Sequence, residues 1–118
     1  MINIIRLIKS FQYAFRGFCK IFKEEQNLKI QSIAAIVIIV LAIYFNITKT
    51  EWMFLIFVIG LVILMEIANS AVERVADLLK PRIHTYVKEI KDITAAGVMV
   101  ASLIALIIGI IIFWPHLM

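Results

Sequence analysis

Three long apolar stretches dominate this 118-residue chain, at residues 30–48, 52–79 and 92–115. Each is long enough to cross the hydrocarbon core of a bilayer, about 30 Å, as a helix that rises about 1.5 Å per residue. The mean hydropathy of +1.03 also lies far outside the range of soluble domains. We therefore predict an all-α integral membrane protein with no room for a separate soluble domain.

Positive charges are concentrated in two of the four segments outside these stretches. Six Lys and Arg residues precede the first stretch, one lies between the first two, five surround the next link and none follows the third. Loops rich in Lys and Arg remain in the cytoplasm. The count predicts a multi-pass membrane protein with a cytoplasmic N-terminus and an external C-terminus.

Residues 3–24 carry the pattern of an amphipathic helix. Apolar side chains recur every three or four positions, and basic side chains from Arg6 to Lys23 follow the same period on another face. Such a helix lies in the headgroup plane with its apolar side down. The basic face predicts attraction to anionic membrane lipids, and some of its cations could also hold a phosphate.

The second stretch contains carboxylates. Glu66 follows fourteen residues without a charge, Trp52–Met65. A charge near hydrocarbon costs several kcal/mol unless it is paired or hydrated, which predicts a functional site. The alternative is a hydrogen-bonded polar seam between helices. Helical spacing puts five polar side chains on one face, which we call the polar stripe: Glu66, Asn69, Ser70, Glu73 and Asp77.

The third stretch has small residues at intervals of four: Gly97, Ala101, Ala105 and Gly109. This pattern lets helices approach closely in lipid. Because three spans enclose little volume, we expect another subunit to complete a water-accessible site, in a closed homo-oligomer.

Signatures of soluble nucleotide-binding proteins and of hydrolases are absent. Four glycines, at positions 17, 60, 97 and 109, allow neither a P-loop nor a dinucleotide fingerprint. His84 and His116 are too far apart in sequence for a zinc-helix motif, and the single Cys19 cannot form an intramolecular disulfide.

The acidic groups suit a hard divalent cation and phosphates. Mg²⁺ usually takes one or two protein carboxylates, and Glu25 and Glu73 are the candidate ligands. Glu66 lies about 10 Å deeper along the helix than Glu73 and could accept the proton of a lipid hydroxyl. Lys91 and Asp92 add a cation for phosphate and an acceptor for a sugar or base. This set would suffice for phosphoryl transfer.

These residues resemble the prokaryotic diacylglycerol kinase family, which includes the undecaprenol kinases. The likeness covers nearly the whole chain and rests on Glu66-x-x-Asn69-Ser70-Ala71-x-Glu73, then Asp77, and later Lys91-Asp92. It implies a homotrimer of one lipid kinase domain over residues 1–118, with three spans and a surface helix per subunit. It also implies transfer of the γ-phosphate of ATP to a lipid alcohol with Mg²⁺, and no nucleic-acid partner.

The resemblance also assigns roles. Glu66 resembles the catalytic base, and Glu25 and Glu73 resemble the metal ligands. A further set would contact the nucleotide: Arg6, Tyr13, Asn69, Asp77, His84, Lys91 and Asp92.

Gln31 and the pattern Glu25-x-Asn27 bear on lipid choice. Gln31 stands where the enterobacterial-type enzymes carry a Glu, and the two features together resemble the undecaprenol-kinase branch. We therefore expect undecaprenol to be preferred, with diacylglycerol as the alternative. A proton-coupled transporter subunit would explain Glu66 but would leave Glu73 and Lys91 without a role.

Overall fold

The chain forms four helices and no strand within residues 1–79 and 84–118, the part that this computed structural model describes. The helices are α1 at Ile4–Glu24, α2 at Gln26–Tyr44, α3 at Lys49–Leu79 and α4 at His84–Leu117. Of His84 only the backbone is described. Helices α2, α3 and α4 are each long and apolar enough to cross a membrane, as the sequence predicts.

The break between α1 and α2 is a single residue, Glu25. Its extended backbone, with φ −102° and ψ 113°, ends α1 and begins α2. The apolar helix α2 therefore starts at Gln26, earlier than the span predicted at residues 30–48. At the other end of α1, the Asn3 side chain accepts a hydrogen bond from the Arg6 backbone N–H at 3.1 Å and caps the helix.

A tight turn joins α2 to α3. Helix α2 ends at Tyr44 because Asn46 adopts a left-handed conformation, with φ 50°, so residues 45–48 are turn where the sequence predicts the end of a span. Thr48 and Glu51 then form a capping box: the Thr48 N–H donates to Glu51 Oε1 at 2.9 Å, and the Glu51 N–H donates to Thr48 Oγ1 at 3.2 Å.

Helix α3 packs more extensively on α4 than on α2. At the turn end of the bundle, a buried apolar cluster of Ala42, Ile47, Leu55 and Ile112 joins the three helices. With 31 residues, α3 is about 46 Å long at about 1.5 Å per residue, well beyond the hydrocarbon thickness. Its length therefore leaves room for the end that carries the polar stripe to lie beyond the hydrocarbon core.

The two halves of the small-residue pattern of α4 have different surroundings. A Cβ built on Gly97 would lie 2.8 Å from Cε of Met65, the residue that precedes Glu66. Ala101, one turn further along α4, is buried. By contrast, a Cβ on Gly109 would meet nothing within 4 Å. The half of the pattern at Gly97 and Ala101 therefore faces other side chains, whereas Gly109 faces open space.

We predict that Gly97→Leu destabilises the protein modestly, because the new side chain must displace the terminal methyl group of Met65. Overpacking costs about 1–3 kcal/mol, and the flexible end of a Met side chain places this change at the lower end. Gly60→Leu is the matched control, since a Cβ at Gly60 meets nothing within 4 Å. Thermal unfolding in mild detergent should give a lower midpoint for the Gly97 variant alone, and equal midpoints for the two variants would contradict this packing.

Candidate active site

The polar stripe runs along α3 from a buried end to an exposed end. Glu66 and Ser70 are almost fully buried, with 3% and 2% of their surface exposed, whereas Asp77 is exposed. Asn69 and Glu73 are half-buried between them. The stripe therefore leads from the interior of the helical bundle to its surface.

Glu66 lies among polar groups from two helices. The Asn27 side chain of α2 lies against its carboxylate, and Glu25 and Glu73 are the carboxylates close enough to act on it electrostatically. Within the described residues, Glu66 Oε2 and Asn69 Oδ1 are buried without a hydrogen-bond partner. A buried acceptor left unpaired costs about 1–3 kcal/mol. The site therefore offers two acceptor atoms to the donors of a ligand.

Glu25 and Glu73 approach this buried carboxylate from different elements. Glu73 lies on α3 and its Oε1 accepts a hydrogen bond from Asn69 Nδ2 at 3.3 Å. Glu25 comes from the extended residue between α1 and α2. No group of three metal-ligating side chains occurs among the described residues, but two carboxylates fit Mg²⁺, which commonly takes its other ligands from water and phosphate.

Arg74 is a residue of this region that the sequence argument did not single out. Its Nη2 lies 2.6 Å from Glu24 Oε2 and 3.5 Å from Glu25 Oε1, so it links α3 to the junction of α1 and α2. The hydrogen bond from Arg74 holds the pKa of the Glu24 carboxyl below its usual range. A basic residue next to Glu73 was visible in the sequence, but its acidic partners lie some fifty positions away.

Asp77 and Lys91 join the exposed end of the stripe to α4. Lys91 Nζ lies 2.5 Å from Asp77 Oδ1. Asp92, the residue after Lys91, is exposed. The predicted cation for phosphate thus lies at the mouth of the site, on the helix that packs against the stripe.

Arg6 and Tyr13 lie apart from these groups. Both are exposed on α1, where every residue before Cys19 is exposed, and the Arg16 guanidinium stacks on the Tyr13 ring at 5.8 Å. No hydrogen bond or ion pair in the described part of the chain joins either side chain to the polar stripe. Their nucleotide contacts stay predictions, and the side chain of His84 lies outside the described residues.

A small apolar cavity lies between the helices, a turn or more away from the buried carboxylate. It has a volume of about 110 Å³ and opens between α2 and α3, with α4 behind. Glu66 and Asn27 do not line it, whereas Val62 and Gln31, each four positions from one of them in sequence, do. Its lining combines Gln31 with small and branched apolar side chains: Ala34, Ala35, Val62, Ile63 and Ala105.

The chain is similar to known bacterial lipid kinases over nearly its whole length. The model of the family described as prokaryotic diacylglycerol kinase matches residues 12–113. The undecaprenol kinase of Bacillus subtilis is 33% identical, over 95% of this chain and 91% of the relative. The diacylglycerol kinase of Escherichia coli K12 is 29% identical, over 94% and 91%, and that of Helicobacter pylori is 32% identical, over 96% and 85%.

The relatives include both undecaprenol and diacylglycerol kinases, and the family match covers the second half of α1, the polar stripe and most of α4. The buried carboxylate and its acidic neighbours are consistent with an enzyme that acts on a membrane lipid. The chain therefore belongs to the prokaryotic diacylglycerol kinase family and is a lipid kinase.

Proposed function

We propose that this enzyme transfers the γ-phosphate of ATP to a membrane lipid alcohol with Mg²⁺, and that undecaprenol is the preferred acceptor. The observation that carries the proposal is Glu66, a buried carboxylate with one unpaired oxygen, close to the carboxylates of Glu25 and Glu73. Such a group could accept the proton of a lipid hydroxyl beside a site for phosphate and metal.

Glu66 is the proposed general base. The hydroxyl oxygen of the lipid forms the new bond to the γ-phosphorus, its proton passes to Glu66, and the bond to the β-phosphate oxygen breaks as ADP leaves. The unpaired Oε2 atom supports this role, because an acceptor without a donor can take the hydrogen bond of the hydroxyl. Asn27, against the same carboxylate, would orient it.

Glu25 and Glu73 are the proposed ligands of Mg²⁺. When bound with ATP, the ion would neutralise charge on the phosphate oxygens. Asn69 orients Glu73 through its 3.3 Å hydrogen bond. The nucleotide would be held by the remaining predicted residues: Arg6, Tyr13, Asn69, Asp77, His84, Lys91 and Asp92.

Residues 1–118 are proposed to form a single domain, and three copies of the chain are proposed to form a homotrimer in the cytoplasmic membrane. The N-terminus and the polar stripe would lie on the cytoplasmic side. The positive charges near both support this orientation. Phe11 and Phe15 of α1 are exposed to 69% and 70%, as in a helix whose apolar side rests on lipid. Only 11% of the most apolar stretch of α2 is buried within the chain, so most of the α2 surface is available to lipid or to other subunits.

The preference for undecaprenol rests on Gln31 and on the pattern Glu25-x-Asn27, which resemble the undecaprenol-kinase branch. Gln31 lines the cavity between α2 and α3. With a volume of about 110 Å³, that cavity is too small to hold a whole lipid chain and does not distinguish the two acceptors. The similarity to the undecaprenol kinase of Bacillus subtilis supports the same preference.

Glu66→Gln should fold and bind MgATP but lose most of its turnover, because the amide cannot accept the hydroxyl proton. A general base contributes about 10²- to 10⁴-fold. The expected result is a kcat at least a hundredfold lower with nearly unchanged apparent ATP affinity, measured with labelled ATP in mixed micelles. Glu89→Gln, which removes an exposed carboxylate of α4, is the control; a Glu66 variant that retained a tenth of wild-type turnover would exclude this role.

Glu25→Gln and Glu73→Gln should each raise the Mg²⁺ concentration needed for half-maximal rate, because a neutral amide is a poorer ligand for a hard cation. The shift should be several-fold or more and should shrink at saturating Mg²⁺. Titration of both variants against Glu89→Gln measures it. Unchanged metal dependence in both would refute the assignment.

Undecaprenol should be phosphorylated with a higher kcat/KM than dioleoylglycerol at equal mole fraction, since specificity is the ratio of these constants. Both lipids are assayed with the same purified protein and the same ATP concentration. A tenfold preference for diacylglycerol, about 1.4 kcal/mol in transition-state binding, would overturn the substrate assignment and leave the kinase assignment standing.

A further inference from the structure

Arg74 bridges two consecutive carboxylates that lie far from it in sequence. Its Nη2 atom is 2.6 Å from Glu24 Oε2 and 3.5 Å from Glu25 Oε1. The Arg74 and Glu24 side chains are 43% and 46% exposed, while that of Glu25 is 29% exposed. The short contact therefore anchors the guanidinium on Glu24, and the longer one leaves Glu25 able to bind a second cation.

The helices alone do not fix the side chain of Glu25. This residue is extended, and it makes no side-chain capping hydrogen bond to α2, the helix that it begins. Its backbone is held, because its N–H donates to the Ile21 carbonyl at 2.8 Å and its own carbonyl accepts from the Lys29 N–H at 3.3 Å. In the described part of the chain, Arg74 is the cation that contacts its carboxylate.

The positive charge of Arg74 has a second effect, on the repulsion between neighbouring carboxylates. Glu25 and Glu73 both lie close enough to Glu66 to act on its charge, so three carboxylates converge before any ligand binds. Like charges at short range repel. A guanidinium next to Glu73 in sequence and against Glu25 in space offsets this repulsion and keeps Glu25 near the other two.

We propose that Arg74 and Glu24 form a positioning pair that holds the Glu25 side chain near Glu66 and Glu73, and that Arg74 contacts neither substrate. The inference rests on the proposed function, because it assigns the pair to the metal-binding carboxylate. Exposed ion pairs add little to the free energy of unfolding. Loss of the pair therefore disturbs the geometry of the site more than it disturbs the fold.

The test compares Arg74→Met, Arg74→Lys, Glu24→Gln and the double variant Glu24→Gln/Arg74→Met in full-length protein reconstituted in lipid. Lys88→Met, which removes an exposed cation of α4, is the matched control. Steady-state kinetics give kcat, the ATP and lipid KM, and the half-saturating Mg²⁺. Binding of Mn²⁺ with a non-hydrolysable ATP analogue, followed by electron paramagnetic resonance, supplies a readout that does not depend on turnover.

Arg74→Met should raise the half-saturating Mg²⁺ and the Mn²⁺ dissociation constant about tenfold, with an unchanged lipid KM. Glu24→Gln should shift both in the same direction by a few-fold, and Arg74→Lys should remain close to wild type because it retains the cation. The double variant should be no worse than Arg74→Met, since residues that act as a pair are not additive.

A different pattern would overturn the inference. If Arg74→Met raised the ATP KM while Glu24→Gln behaved as wild type, Arg74 would be a ligand of the nucleotide phosphates. Wild-type metal binding in both single variants would refute the positioning role directly. If Arg74→Met failed to fold, Glu24→Gln and Arg74→Lys would decide the question. If the wild-type protein phosphorylated no lipid, the proposed function would fail, and the Mn²⁺ measurement would still test the pair.

Discussion

The burial of the Glu66 carboxylate within an apolar helix is the constraint on which the rest of the site depends. Only 3% of Glu66 is exposed, and one of its oxygens has no partner among the described residues. A group of this kind is expensive near hydrocarbon. Two features reduce this cost. The Asn27 amide on α2 lies against the carboxylate, and polar groups of increasing exposure follow it along α3.

Helix α4 contacts α3 at two points along the stripe. A Cβ on Gly97 would lie 2.8 Å from the terminal methyl group of Met65, the residue directly before Glu66. At the exposed end of the stripe, Lys91 pairs with Asp77. Helix α4 therefore places a cation at the end of the stripe that lies nearest the surface.

The junction between α1 and α2 positions the residues of the site that do not belong to α3 or α4. A single extended residue turns the chain from the exposed helix α1 into the span α2, and that residue is Glu25. Asn27 follows two positions later and reaches Glu66. The start of α2 thus supplies both an acidic neighbour and an amide partner to a carboxylate of α3.

Hydropathy and helical period in the sequence alone determined that the chain has three apolar spans and that Glu66, Asn69, Ser70, Glu73 and Asp77 share one helix face, because both depend only on local spacing. The ends of α2 were not predictable in this way, since they depend on the backbone conformations of Glu25 and Asn46. Only the tertiary structure decided that Arg74 pairs with Glu24, that Asn27 meets Glu66 and that a small cavity opens between α2 and α3. Those contacts join residues of different helices, and no periodicity within one helix encodes how far another helix is rotated or shifted against it.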